Sequence, residues 1–514
     1  MPVKMVTDET QWPAQPEDQA TDLRLAGLTA LGLVGTNAHV ILSSEPKSDD
    51  DSNDADSIND ADSINDEGVM DAIETKSTFD DRPSELLVLS ARSQAALKQM
   101  AGELGDFLSA NPETCLQSLC HTTSAGRRHF EVRAAIPIGS IDEAIEKLIE
   151  LSGDSTGPEI PKPHFSMGQV KSNGTNGASK SSVVQSNSWF KSEVQKAPKI
   201  GWLFDDVASS NLQIARELYQ TEPSFRELMA EFDAVLAPHR EPDDQTICES
   251  LQNSEGEIAN SETMQFALQA GLVKLLQARG VSPDAVLGLG VGQYTAACVA
   301  GCLCFKDAIV LIEHRQKVLT ALKQNSGPAN GKAIDETQID AATKTALDEF
   351  ETFADSFNFY PPNLPLICSL EAAEVPIHRS PGGSYWRRHC LEPAKRNESA
   401  KVLADFGLDY LLDLSAVRDR DSELEQILES TENELISVLR SEVAPTTSLQ
   451  TVLAHLYAAG AKLDFSAVDE DAKPKRISLP PYPFQKKRYW ITEVDQFVGE
   501  GSAEQKQLEA NTKP

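Results

Sequence analysis

A glycine-rich turn, Gly288-Leu289-Gly290-Val291-Gly292, carries the spacing of a nucleophile elbow. In G-x-S-x-G a serine sits on a strained strand-to-helix turn and presents its oxygen to an acyl carbon. Here an apolar run, Ala285-Val286-Leu287, leads into the turn, and a helix-like run at residues 295–300 leads out of it. Both flanking glycines are in place, but Gly290 occupies the serine position. Glycine has no side-chain oxygen, so no covalent acyl intermediate can form there.

Other reactive side chains are scattered. Cys298, Cys302 and Cys304 cluster, but in an apolar setting without histidine at zinc spacing, so the eight cysteines are expected to be small buried thiols. His121, His129, His389 and His455 lack metal-ligand spacing and are expected on the surface or in packing roles, and no metal is implied. Ser209 has no identifiable base, and Cys298 falls in the helix after the turn, where it should face the core.

The elements that must hold this turn are legible from periodicity. From residue 199 onward, apolar strands (200–204, 285–287, 364–370, 410–414) alternate with helical patterns (211–219, 223–236, 263–280, 305–322, 400–406). That rhythm implies an α/β fold with a parallel sheet covered by helices. Residues 85–150 read instead as a small α+β domain, with strands near 86–89 and 133–138 and helices over 93–108 and 141–151. Residues 46–81 hold 13 acidic and 2 basic residues, about a third of the chain's net charge of −33, and contain a tandem Asn-Asp-Ala-Asp-Ser-Ile repeat. The repeat lacks the glycine and closing glutamate of a calcium loop, so a solvated linker is expected. The 514 residues allow two or three domains, and a mean hydropathy of −0.33 fits a soluble protein. The charge opposes nucleic-acid binding, and neither a membrane span nor a signal peptide is apparent, so a cytoplasmic location is expected.

At this point the residues resemble the ketosynthase–acyltransferase region of modular (type I) polyketide synthases and related fatty-acid synthases. Gly35-Thr36-Asn37-Ala38-His39 resembles the end of a ketosynthase, in which His39 would be an active-site residue. Residues 119–135, with Gly126-Arg127-Arg128-His129-Phe130, resemble the linker domain that follows. Residues 199 onward, including Tyr385-Trp386-Arg387-Arg388-His389, resemble a malonyl-CoA acyltransferase, and residues 479–491 the segment after it. The resemblance implies this division: 1–44, a ketosynthase remnant; 45–81, acidic disordered linker; 82–151, linker domain; 152–196, flexible linker; 197–440, acyltransferase; 441–491, post-acyltransferase segment; 492–514, disordered tail. It also implies a hydrolase-like large subdomain. The ferredoxin-like small subdomain is absent, because residues 324–343 are too few to form it.

The resemblance further implies acyl-CoA and a phosphopantetheinyl carrier protein as family substrates, with no cofactor, and a ketosynthase or other synthase subunit as partner. Position by position, however, the catalytic groups are altered. Leu289 replaces the histidine before the nucleophile, and Gln293 the glutamate after the second glycine. Val207 replaces the oxyanion-hole glutamine beside Asp205 and Asp206, and Ile339 stands at the histidine base. His39 has only 38 residues before it, too few for a ketosynthase site, and Val34 interrupts its glycine-rich turn. Arg315 lies 25 residues after Gly290, the offset of the family arginine that pairs with a malonyl carboxylate. Two readings of it stay open: a residual anion site, or an exposed helix-face arginine bridged to Glu313 or Asp307. The expectation is a pseudoenzyme acting as scaffold or docking piece. An acyltransferase with an atypical nucleophile and a non-catalytic acyl-CoA binder are the alternatives.

Overall fold

Apolar runs become buried strands, and the glycines between them set how closely the helices approach. The computed structural model describes residues 25–31, 37–43, 84–153, 189–205, 213–240, 244–253, 261–326, 333–334, 337, 339–415, 427, 433–440, 443–465 and 474–486. The acidic linker and tail, and with them Val34, Asp206, Val207, Ser209, Tyr489 and Trp490, lie outside these residues. Contacts divide the chain into two units, residues 1–74 and 75–514.

In the first unit, β1 (Leu25–Leu31) and β2 (Asn37–Ser43) form an antiparallel hairpin in which Thr29 faces His39. His39 is exposed, and its Nδ1 lies 2.7 Å from the Thr29 hydroxyl.

The second unit begins with the α+β domain. It comprises β3 (Glu85–Ala91), α1 (Gln94–Ala110), α2 (Leu116–Ser124), β4 (Val132–Ile138), α3 (Ile141–Ser152) and β5 (Phe190–Glu193). Ser93 and Ser140 cap α1 and α3 by accepting from the Ala96 and Glu143 N–H groups, as such residues do at helix starts. The sheet runs β3-β4-β5, all antiparallel. Its alternation is two-sided. Leu87, Leu89, Ala134 and Ile136 face α1 and α3, whereas Leu86, Val88 and Ala135 join the core of the larger domain.

The larger domain continues through β6 (Ile200–Phe204), α4 (Gln213–Thr221), α5 (Pro223–Leu236), α6 (Ile247–Gln252), α7 (Glu262–Ala278), β7 (Ala285–Gly288) and α8 (Gly292–Val299). There follow α9 (Phe305–Ser326), α10 (Ala341–Ala354), β8 (Leu366–Cys368), β9 (Ala373–Glu374), α11 (Gly383–Leu391), α12 (Arg396–Ala404), β10 (Tyr410–Asp413), β11 (Glu434–Ser437) and α13 (Pro445–Ala459). The sheet order is β11-β10-β6-β7-β8-β9, parallel except for β9. Both faces are covered, which is why its strands read as continuous apolar runs. Trp202, Phe204, Val286 and Leu412 point into the main core, and Leu203, Leu287, Ile367 and Leu411 into a second core with Ala400 and Leu403 of α12. This is the helix-covered parallel sheet expected from the strand–helix rhythm, and the hydrolase-like layer that the resemblance implied. Only residues 327–340 separate α9 from α10, too short a link for an inserted subdomain.

Several elements escaped the sequence patterns, among them α2, β5, α6, α11, β11 and α13. β5 sits in a polar, Lys-rich stretch, and α13 bridges the domains: Arg133 donates to the Tyr457 and Ala461 carbonyls and lies over the Tyr457 ring. The cysteines also depart in part from expectation. All eight are free, but Cys115 and Cys304 are exposed and Cys248 half-buried, because each sits at or near a helix end instead of mid-core.

Candidate functional site

The turn after β7 has the geometry of an elbow. Gly290 adopts φ +54°, a left-handed conformation that glycine takes without the penalty an L side chain meets. Leu289 N–H donates to the Phe204 carbonyl at 2.7 Å, and Gly292 N–H to the Leu289 carbonyl at 2.9 Å, closing the turn into α8. The flanking glycines are there for space. A Cβ at Gly288 would fall 2.3 Å from Gln293 Cα, and one at Gly292 would fall 2.5 Å from the Phe204 carbonyl oxygen.

The side chains around the turn are turned inward. Leu289 is fully buried in the second core. Gln293 is buried too; its Oε1 accepts from Ser369 N–H at 3.3 Å, and its Nε2 lies 3.5 Å from the Ile367 carbonyl, linking α8 to the end of β8. Ile339 is half-buried and packs on the main core. Cys298 is buried, and burial pushes its thiol pKa well up, so it stays protonated.

Asp205, directly after β6, lies beside the altered oxyanion-hole position, where a free carboxylate would oppose an oxyanion. It is instead neutralised by an ion pair with Arg396 at the start of α12. Its N–H donates to Ser415 Oγ at 2.6 Å, and its carbonyl accepts from Gln269 Nε2 at 2.7 Å. Gln269 Oε1 in turn accepts from Thr295 Oγ1 at 2.7 Å. Fully buried Gln269 and Thr295 thus satisfy one another and tie α7 to α8.

Arg315 is not on an exposed helix face. It is only 6% exposed, and its partner is Glu262 at the first turn of α7, with Nη1 2.5 Å from Oε2. Glu313 pairs instead with Arg240 and accepts from Thr263 Oγ1. The Arg315 guanidinium lies 5.6 Å from the centre of the Tyr294 ring, which stacks on Trp386 at 3.9 Å and meets His389 edge-on. Burial works to lower the Arg315 pKa, but the Glu262 carboxylate outweighs it and the net shift is upward. Burial, then Arg315, drives His389 well below the ordinary histidine range, so it is neutral. Cys390 is pushed up to about 11, chiefly by burial. Sequence gave no sign of Glu262, since it and Arg315 lie on different helices and meet only through the packing of α7 on α9.

The other histidines serve packing. His129 Nδ1 lies 2.6 Å from the Tyr457 hydroxyl, and buried His455 stacks on Phe190. Half-buried His121 lines a cleft of about 40 Å³ with Arg279, Gln450 and Asp464. Among the described residues no group of three metal-binding side chains converges, and no helix is long and apolar enough to cross a membrane.

Residues 85–148 match the family model described as CurL-like, PKS C-terminal, and residues 213–353 match the acyl transferase domain model. The phenolphthiocerol synthesis polyketide synthase type I Pks15/1 of Mycobacterium marinum is 26% identical over 95% of this chain and 23% of its own length. Erythronolide synthase EryA3 of Saccharopolyspora erythraea is 23% identical over 95% of the chain and 15% of its own length. The chain therefore spans about a quarter or less of these relatives. Among solved structures, the acyl transferase domain of ZmaA superposes with a TM-score of 0.60 at 20% identity, over 78% of this chain and 99% of that domain. The fold is that of a polyketide synthase acyltransferase domain. The chain is thus similar to the ketosynthase–acyltransferase regions of type I polyketide synthases, and its residues 213–353 match an acyltransferase-family domain.

Proposed function

We propose that this chain is an acyltransferase-family component of a polyketide synthase that performs no acyl transfer at its elbow and serves as a docking piece for other synthase subunits. The observation that carries the reading is Gly290: an elbow with its left-handed turn and both flanking glycines, but no nucleophilic atom. Removing a triad nucleophile or base costs on the order of 10⁶ in kcat, and a lost oxyanion donor roughly 10²–10³. The inward-facing Leu289 and Gln293 and the Asp205–Arg396 pair support the same reading, as does the Ile339 substitution.

The docking half of the proposal rests on residues 474–486, which run along the α+β domain. Arg92 N–H donates to the Tyr482 hydroxyl at 3.0 Å, and Arg127 to the Pro480 carbonyl at 2.6 Å. Ile477 N–H donates to Thr122 Oγ1 at 3.0 Å, and the Tyr482 ring meets Phe130 at 5.4 Å. Phe484, 78% exposed, stands beside Tyr482 as an aromatic anchor facing solvent. A ketosynthase is the proposed partner, a carrier protein a further one, and the cytoplasm the proposed location.

Intact mass after incubation with malonyl-CoA tests the first half. No acyl adduct is expected, and carrier protein should be charged no faster than in buffer; a stable adduct overturns the reading. A pull-down with the ketosynthase encoded alongside tests the second half. Capture should be lost on deleting residues 479–491, and capture unaffected by the deletion removes the docking role.

A further inference from the structure

Far from the elbow, the α+β domain and the larger domain meet along a seam, and a cleft of about 40 Å³ opens in it. One wall comes from β3 and α2, the other from α13, Arg279 and residues 463–465. The second wall is pinned. Asp464 N–H donates to the Arg279 carbonyl at 2.8 Å, and Arg133 of β4 donates to the Ala461 carbonyl at 3.0 Å. Gly280 turns at φ +77°, where a Cβ would lie 3.0 Å from Asp464 N. The Phe465 ring meets His129 at 5.5 Å and Tyr457 at 6.0 Å.

Gln450 of α13 lines this cleft with one polar atom unmatched. The residue is only 6% exposed, and its Oε1 has no hydrogen-bond partner. Acceptors at that depth are nearly always paired, so Oε1 calls for a donor. The lining selects the donor's charge. The carboxylates of Glu85 and Asp464 stand against the single guanidinium of Arg279, which favours a cationic N–H over a neutral one. Leu453, Leu463 and Phe465 add apolar surface for a short hydrocarbon stem. One water-sized group needs roughly 10–15 Å³ of such space, so the cleft takes about three non-hydrogen atoms.

We infer that the seam cleft is a binding site for a small primary ammonium group. Its N–H donates to Gln450 Oε1, Glu85 and Asp464 balance its charge, and its stem packs on Leu453 and Phe465. The walls belong to both domains, so an occupied cleft fastens α13 to β3 and α2. The site is independent of the elbow and of any transfer there.

The experiment is ligand-observed saturation transfer on the full chain at about pH 8, above the ordinary histidine range. Ethylammonium chloride is the probe. Tetramethylammonium chloride, a cation without an N–H, is the control in the same tube. Transfer to ethylammonium alone is expected, with a Kd on the order of millimolar for so small a ligand. Gln450→Leu removes an unpaired buried acceptor, so it should fold, and it should weaken binding tenfold or more. Asp464→Asn, at an exposed position, should weaken it about threefold. No transfer to ethylammonium, or equal transfer to tetramethylammonium, overturns the site. Undiminished binding by Gln450→Leu does so too; if that variant fails to fold, undiminished binding by Asp464→Asn decides in its place. Acetate held in preference to ethylammonium overturns the ammonium assignment, because the amide would then present its N–H. Nα-acetyl-lysine amide separates two sources of the same chemistry. Binding at least as tight as ethylammonium's supports a lysine side chain as the occupant, and weaker binding supports a free amine.

Discussion

The ends of the parallel strands and the face bearing residues 474–486 treat their polar groups in opposite ways. At the strand ends the charges and amides around the elbow face internal partners: Asp205 with Arg396, Gln269 with Thr295, Gln293 with Ser369 and, less completely, Arg315 with Glu262. On the tail face Arg92 and Arg128 stay exposed around the Phe130 ring, and Phe484 is left to solvent. The first region is organised like core and the second like open surface. Catalytic crevices need groups free to meet a substrate, and interaction faces need anchors; this molecule has its free groups on the second.

The largest effect should come from the turn itself. Gly292→Ala drives a methyl into the Phe204 carbonyl oxygen at 2.5 Å, backbone against backbone, where neither side can yield. A loss of about 3 kcal/mol or more is expected from urea unfolding, at the upper end for overpacking. Gly290→Ser should cost less, about 1–2 kcal/mol of left-handed strain, and should not restore transfer, since base and oxyanion donor remain altered. If Gly292→Ala were tolerated within 0.5 kcal/mol, the claim that the frame is retained for packing would fail.

Next in size is the Asp205 pair. Arg396→Met removes the paired cation from a carboxylate that is only 3% exposed, and a loss of about 3 kcal/mol is expected by chemical denaturation. Adding Asp205→Asn should recover most of it. A double variant as unstable as the single one would show that Arg396 matters through its aliphatic stem, not its charge.

The α/β layer was legible because β6, β7 and β10 are largely apolar runs that alternate with helical patterns, and because Gly288 breaks the run at the end of β7. The elbow was legible for the same reason, its glycines being required by space. What stayed hidden depends on long-range packing. β5 is a polar strand made by pairing with β4, and α13 is an apolar helix whose amphipathic pattern is erased by contact on nearly all sides. The partners Glu262 and Arg396 lie 53 and 191 residues from the groups they neutralise, a pairing that no local pattern encodes.

A subtler test sits where β10, β11 and α13 meet. His455 Nε2 lies 3.6 Å from Glu434 Oε2. Burial raises Glu434 to about 7 and, with Arg440, lowers His455 to about 4. Alone, Glu434 would contribute stability present below about pH 4.5 and lost as pH rises to about 7; His455 would contribute stability present above about pH 6.5 and lost as pH falls to about 4. Between about pH 4.5 and 6.5 the pair holds one proton folded or unfolded, so the two slopes cancel. Glu434→Gln should therefore make stability rise with pH across that window, and His455→Gln should make it fall, each by up to about 1.4 kcal/mol per pH unit. Two variants sloping the same way would refute a shared proton.

The smallest stability effects belong to the tail face, and there the comparison is sharpest. Tyr482→Phe removes the acceptor for the Arg92 N–H and should cost about 1 kcal/mol, the usual value of one hydrogen bond. Phe484→Ala removes a ring that is 78% exposed, so its unfolding midpoint in urea should be within error of wild type. If this face is for contact, the order inverts in a ketosynthase pull-down: Phe484→Ala should weaken capture tenfold or more, as truncating a buried aromatic anchor does. Tyr482→Phe, which keeps its ring on Phe130, should change capture little. Equal capture by both variants and wild type would mean that residues 474–486 serve only to bind their own domain, and that the exposed anchors differ from the closed crevice in solvation alone.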